Sequence, residues 1–157
     1  MPPKPWQESA TETVQVVLPN RSNPLGFMLG GSVMHLIDIT GAIACHRHTN
    51  TLALTAAVDG LEFVHPIRMG DIIILKARVT ATFRTSLEVE VEVFSEEILT
   101  GRRQPTSRAF LTFVSIEAEG KPLPVPPLRR DTSDDEARSL AAHARRATRL
   151  AHRATRG

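Results

Sequence analysis

Between Thr85 and Glu97 the chain reads TSLEVEVEVFSEE, in which Leu87, Val89, Val91 and Val93 alternate with Glu88, Glu90 and Glu92. Alternation at a period of two predicts a strand with one face on a core and the other in water. Three more runs have strand character: TLALTAAVDGLEF (51–63), GDIIILKARVTATF (70–83) and SRAFLTFVSIEA (107–118). A β-branched run, TETVQVVL (11–18), precedes them and reads as a first strand. HPIRMGD and ILTGRRQP supply turns, and no helical pattern separates the later strands, so the predicted sheet is antiparallel.

The period changes at Gly30. In GGSVMHLIDITGAIACHRH the apolar residues cover nearly the whole circumference at 100° per residue, which predicts a helix buried on most sides. His46, Arg47 and His48 crowd its C-terminal end, where the helix dipole favours positive charge. GKPLPVPPL (120–128) is a proline-rich stop, and beyond it Ser133 with Glu136 forms a capping-box pattern for a terminal helix. The apolar positions of that helix are mainly alanine with Leu140 and Leu150, so it is expected to pack thinly, frayed or docked on a neighbouring subunit. One buried helix and about five long strands imply an α+β architecture, a curved antiparallel sheet wrapped around a central helix. The expected organisation is a flexible arm over residues 1–10, a domain over 11–128 and a basic helical extension over 129–157.

Length and composition narrow the classes. The chain has 157 residues, 41% apolar and 23% charged, which fits one globular domain. No apolar run reaches the roughly eighteen residues of a membrane span, and MPPKPWQESA lacks the apolar core of a signal peptide. A lone Cys45 forms no internal disulfide, and a cytoplasmic, reducing location is the expectation. Charge is uneven: residues 129–157 carry eight arginines against four acids, whereas 1–128 carry eleven Lys/Arg against thirteen acids. The tail has no interleaved aromatics, zinc-finger spacing or helix-turn-helix pattern, so nucleic acid is not the expected partner.

The candidate chemistry lies in NPLGFMLGGSVMHLIDITGAIACHRH, 23–48. Asp38 falls on a helical stripe with Gly31, Met34, His35, Ala42 and Cys45, where a carboxylate is desolvated unless a cleft or partner receives it. It reads as a structural group or as a general base. Gly30 and Gly31 leave first-turn N–H donors free to stabilise an oxyanion. They precede Asp38 by about 10–12 Å along the helix, so a water or a second subunit must bridge the two. His35, alone in an apolar stripe, and the helix-end pair His46 and His48 do not make up a three-ligand set, and no metal is expected. Cys45 reads as a small core residue.

The order NPLGFMLGG, MHLID, GAIACHRH, TAAVDGLEFVHPIRMGD, FRTSLEVEVEVFSE and AFLTFVSIEAEGKPLPVPPL resembles the hotdog-fold acyl-CoA thioesterases, in the branch of bacterial short-chain and brain-type cytosolic acyl-CoA hydrolases. The likeness runs over about Val14 to Leu128. It implies hydrolysis of acyl-CoA to fatty acid and CoA, no cofactor beyond the CoA of the substrate, and sites at the interface of a homodimer, often within a trimer of dimers. It further implies Asp38 as general base or nucleophile and Asn23 acting from the facing subunit. Many relatives carry a polar residue three positions before the first glycine, where this chain has Phe27. Beside this, Arg84, Thr85 and Ser86 are candidates for the CoA phosphate and pantetheine, against a plain turn reading. An acyl-thioester dehydratase would want a catalytic histidine that NPLGFMLGG lacks, and a non-catalytic acyl-CoA sensor with an arginine-rich tail is the other alternative.

Overall fold

The computed structural model of the chain describes residues 1–156. Strand β1 (Lys4–Pro5) is followed by β2 (Thr11–Val16), helix α1 (Gly30–Thr49), β3 (Leu52–Phe63), β4 (Ile72–Thr82), β5 (Ser86–Glu96), β6 (Arg103–Ile116), β7 (Leu128–Arg129) and helix α2 (Ser133–Arg156). The long strands form one antiparallel sheet in the order β2-β4-β5-β6-β3, so β2 and β3 are its edges. Strand β6 starts four residues earlier than its pattern suggests and takes in Pro105, which sits opposite Phe94 at a register shift where a ladder bond is dispensable.

Helix α1 lies in the concave face. Leu87, Val89, Val91 and Val93 of β5 are fully buried and share a core with Val33, Leu36, Ile37, Ala44 and Cys45. A Cβ at Gly41 would stand 3.4 Å from the Phe113 ring and from Val91 Cγ2, so glycine there lets the helix lie in contact with the sheet. The expectation of a helix buried on most sides needs correcting for the single chain: Met34, Ile39 and Ile43 are each 36–45% exposed.

The convex face departs further from the sequence expectation. Glu88 and Glu90 are 2% and 3% exposed, because α2 lies across them. Arg145 makes two bonds to Glu88, 2.9 Å from Nε and 2.8 Å from Nη2, and stacks 3.5 Å above the Phe110 ring. Arg138 bonds Glu90, Arg149 bonds Asp59 at 2.7 Å, and Arg78 reaches back from β4 to Asp135 at 3.1 Å. The helix expected to pack thinly thus docks through arginines that its alanine-rich pattern does not reveal. Its cap is also one residue earlier than expected. Thr132 Oγ1 accepts from Asp135 N at 3.1 Å, and Asp135 Oδ2 accepts from Thr132 N at 3.3 Å. Glu136 instead pairs with Arg130.

Within the arm over residues 1–10, expected to be loose, residues 4–8 are docked as well. Lys4 N donates to Pro127 O at 2.9 Å, β1 runs parallel to β7, and Trp6 lies 3.9 Å from the Arg78 guanidinium.

Candidate active site

Asp38 points from the middle of α1 towards β3, and its Oδ1 accepts a 2.7 Å hydrogen bond from Thr55 Oγ1. Both groups are exposed in the single chain rather than desolvated. Helix geometry sets the direction: Asp38 falls at the border of the buried stripe of α1, beside Cys45 and Thr49, where the helix meets the edge strand. Thr55 carries no motif of its own in the sequence. Its contact with Asp38 emerges only from the placement of β3 beside α1.

Asn23 opens the loop before the helix. Its Oδ1 accepts from Leu25 N at 3.0 Å and Phe27 N at 3.1 Å, and its backbone N donates to Phe27 O at 2.7 Å. The carbonyl half of the amide is therefore occupied in a local turn, and Nδ2 has no partner among the described residues. Phe27 follows in the same turn and bridges to Arg68.

At the N-terminus of α1, Ser32 N and Val33 N both donate to Leu29 O. Among the described residues, Gly30 N and Gly31 N meet no backbone acceptor, as befits the first turn of a helix. A Cβ at Gly31 would meet nothing within 4 Å, and a Cβ at Gly30 would stand 3.6 Å from the Phe63 ring. Within one chain the glycine turn and Asp38 thus neighbour opposite ends of β3, Gly30 beside Phe63 and Asp38 beside Thr55.

Arg84, Thr85 and Ser86 lie at the turn between β4 and β5, with Ser86 the first residue of β5. Their carbonyls accept from Val125 N (3.1 Å), Ser115 N (2.9 Å) and Phe83 N (2.8 Å), while the Arg84 side chain is exposed. Ser86 is in register with Val114, one position from the Phe113 that pairs with Thr55. The turn therefore lies at the Asp38 end of the sheet, two strands from Thr55, and is not brought to the glycines of its own chain.

The histidines are dispersed. His46 Nδ1 lies 2.8 Å from Thr51 O, and buried His48 places Nε2 2.8 Å from Pro126 O. Burial outweighs that contact and holds the His48 imidazole below its ordinary pKa. Burial also pushes the Cys45 thiol up to about 12, with Thr49 acting in the opposite sense, so the thiol stays protonated.

A five-stranded antiparallel sheet wrapped on one long helix, with an aspartate on that helix facing the edge strand, is the hotdog arrangement. The thioesterase superfamily model matches residues 25–101. The cytosolic acyl coenzyme A thioester hydrolase of Rattus norvegicus is 37% identical over 132 residues, covering 83% of this chain and 35% of the rat protein. An acyl-CoA thioester hydrolase of Bacillus subtilis, YkhA, is 34% identical over 129 residues, 82% of this chain and 75% of its own. The chain therefore spans about a third of the rat relative's length and three quarters of the bacterial one.

Among solved structures, an apo-hexameric acyl-CoA thioesterase is 36% identical with a TM-score of 0.93, covering 98% of this chain and 99% of its own. The Staphylococcus aureus acyl-CoA hydrolase, in complex with butyryl coenzyme A, coenzyme A and coenzyme A disulfide, is 30% identical with a TM-score of 0.90, covering 98% and 94%. This chain belongs to the hotdog-fold acyl-CoA thioesterase family. The S. aureus enzyme has also been solved as alanine mutants of an asparagine, an aspartate and a threonine, spaced 15 and 17 residues apart. Asn23, Asp38 and Thr55 repeat those residue types at those spacings.

Proposed function

We propose that the protein hydrolyses acyl-CoA thioesters to a free carboxylic acid and CoA, with Asp38 as the reacting carboxylate. The observation that carries this reading is the Asp38–Thr55 hydrogen bond of 2.7 Å on a thioesterase fold. The residue types and spacings shared with the three S. aureus mutants support it.

Thr55 fixes one carboxylate oxygen and leaves the other free to take a proton from water. The water oxygen then bonds to the thioester carbonyl carbon, and the carbonyl oxygen becomes an oxyanion received by the N–H groups of Gly30 of the partner subunit and Gly31 of the partner subunit. Collapse of the tetrahedral intermediate breaks the C–S bond, and the proton held by Asp38 passes to the departing CoA sulfur. Direct attack by Asp38 through an anhydride, later opened by water, is the covalent version of the same arrangement. The reaction draws on water and protein groups alone.

The site is completed by a second copy. Antiparallel pairing of two β3 edges about Asp59 sets Phe63 of the partner subunit opposite Thr55. The partner's Gly30 then comes to the vicinity of Asp38. Asn23 of the facing subunit contributes its free Nδ2, since its carbonyl is held in its own turn. The exposed apolar side chains Leu54, Val58 and Phe63 on an unpaired edge strand support such pairing. A trimer of these dimers is the expected assembly, and one relative of known structure is a hexamer. Arg84, Thr85 and Ser86 at the Asp38 end receive the CoA phosphates and pantetheine. The cytosolic rat relative supports a cytoplasmic location, and no helix among the described residues is long and apolar enough to cross a membrane.

Release of free thiol over acyl-CoAs of graded chain length tests the reading. Asp38→Ala is expected to lower kcat by about 10²–10⁴, the range for a positioned general base. Unchanged turnover in that variant would overturn the assignment of Asp38, and acyl-CoA binding without thiol release by the unaltered protein would favour a sensor.

A further inference from the structure

Helix α2 is longer than the sheet it covers. Arg78, Glu90, Phe110 and Asp59 form one cross-strand row over β4, β5, β6 and β3. The helix follows that row, tied to Arg78 by Asp135, to Glu90 by Arg138 and to Asp59 by Arg149. Three strand intervals are about 14 Å, and the helix crosses them in about 21 Å of its length. The seven residues after Arg149 then carry it roughly 7 Å past the edge strand, between one and two strand spacings. Residues 151–156 are all exposed.

A cavity of about 810 Å³ lies under this overhang, lined by residues 56–60 of β3 and by α2 side chains that include Arg153 and Arg156. Neither arginine has a salt bridge or side-chain hydrogen bond among the described residues, whereas Arg145 and Arg149 are neutralised by Glu88 and Asp59. Beside the cavity, β3 carries two acids. Asp59 is taken by Arg149, and Glu62 has no partner among the described residues. Glu62 is in register with Arg108, which reaches Glu90 on the convex face, so Glu62 stands on that face too.

We infer that the overhang of α2 is a clamp on the second copy of this chain, which seats its β3 under the overhang and meets Arg153 and Arg156 with its Glu62. The inference rests on the β3 pairing proposed above. With Phe63 of the partner subunit opposite Thr55, the partner's Glu62 comes opposite Ala56, a residue lining the cavity. Charge complementarity selects this occupant: two free guanidiniums on the overhang, one free carboxylate on the strand that must enter beneath it. Two-fold symmetry repeats the contact, so each dimer gains two clamps. The helix then has two halves with different roles, the first covering its own sheet and the last two turns holding its neighbour's.

Sedimentation velocity over a dilution series tests the clamp without disturbing Asp38. Arg153→Glu with Arg156→Glu is expected to raise the dimer dissociation constant at least tenfold, and adding Glu62→Arg to restore it to within a few-fold of the starting value. Glu62→Cys with Arg156→Cys, oxidised, is expected to run as a covalent dimer on a non-reducing gel, since buried Cys45 takes no part. A dimer of unchanged affinity in the double-glutamate protein, or a cross-link confined within one chain, overturns the clamp and leaves the β3 pairing standing. An unaltered protein that stays monomeric at micromolar concentration overturns the pairing itself, and the clamp with it.

Discussion

One sheet is covered by two helices that hold it in opposite ways. On the concave face α1 meets the valines of β5 with an apolar surface and, among the described residues, no ion pair, and every residue of that valine row is fully buried. On the convex face α2 meets the glutamates of the same strand, and Glu88 and Glu90 are almost as deeply buried. The first contact needs only shape and the exclusion of water. The second needs each charge matched, because a carboxylate taken out of water without a partner costs several kcal/mol. The comparison predicts that the concave face loses stability in proportion to the volume removed. The convex face loses it only when a pair is broken on one side.

The largest expected effect is therefore Phe113→Ala. Phe113 is 1% exposed and packs on Gly41 of α1, and the variant is expected to lose about 3–5 kcal/mol in urea unfolding. A loss below about 1 kcal/mol would mean that α1 does not depend on this contact. On the convex face, Glu88→Ala leaves Arg145 and Thr80 Oγ1 without their carboxylate, and a loss of about 3 kcal/mol is expected. Replacing both partners, Glu88→Leu with Arg145→Leu, is expected to return stability to within about 1 kcal/mol of the starting protein. If the double variant were as unstable as Glu88→Ala, the convex face would depend on the ion pair itself and not on the matching of charge.

The same contrast explains what could be read in the chain. Alternation in LEVEVEV identified the strand and its apolar row, because that periodicity records contact with a continuous core. It also suggested that the glutamates face water. Their cover comes from Arg138 and Arg145, 48 and 57 residues away, and arginine on an alanine-rich helix looks the same whether it meets solvent or a carboxylate. At the site, Asp38 and the glycine pair were legible, since a carboxylate in an apolar helix and two adjacent glycines at its start are locally unusual. Thr55 was not, because a threonine in a strand is ordinary until β3 is laid beside α1. Asn23 has an occupied carbonyl, a detail of its turn that the NPLG sequence alone does not specify.

A smaller effect separates how the two helices begin. Helix α1 starts at Leu29 with no side-chain cap, while α2 starts with the reciprocal Thr132–Asp135 pair. Thr132→Ala is expected to lower stability by about 1 kcal/mol and to increase amide exchange in the first turn of α2 without altering α1. Equal exchange in both helices would show the cap to be dispensable.

The smallest effect sharpens the comparison through pH. Burial pushes the Glu90 carboxyl above its ordinary value of 4.5, more strongly than Arg138 pulls it down. Burial acts the same way on Asp135, but the Asp131 N–H, the Thr132 hydroxyl and N–H, and Arg78 together hold it below 3.8. The signs of the linkage are opposite. For Glu90 the native state binds the proton more tightly, so its ionised form disfavours the fold at neutral pH, and the penalty is relieved as pH falls through the raised native pKa. For Asp135 the native state releases the proton more readily. Its contribution is complete above the ordinary carboxyl range and is lost as pH falls through the lowered native value. Urea unfolding between about pH 3 and pH 7 is expected to find Glu90→Gln no less stable than the starting protein at neutral pH, with the difference closing on acidification. Asp135→Asn should be less stable at neutral pH, with its deficit shrinking at the acid end. A Glu90→Gln deficit at pH 7 that vanishes in acid would mean that Arg138 more than offsets the burial of Glu90. The two carboxylates under α2 would then be stabilised alike, and the convex face would be held by its charges rather than in spite of them.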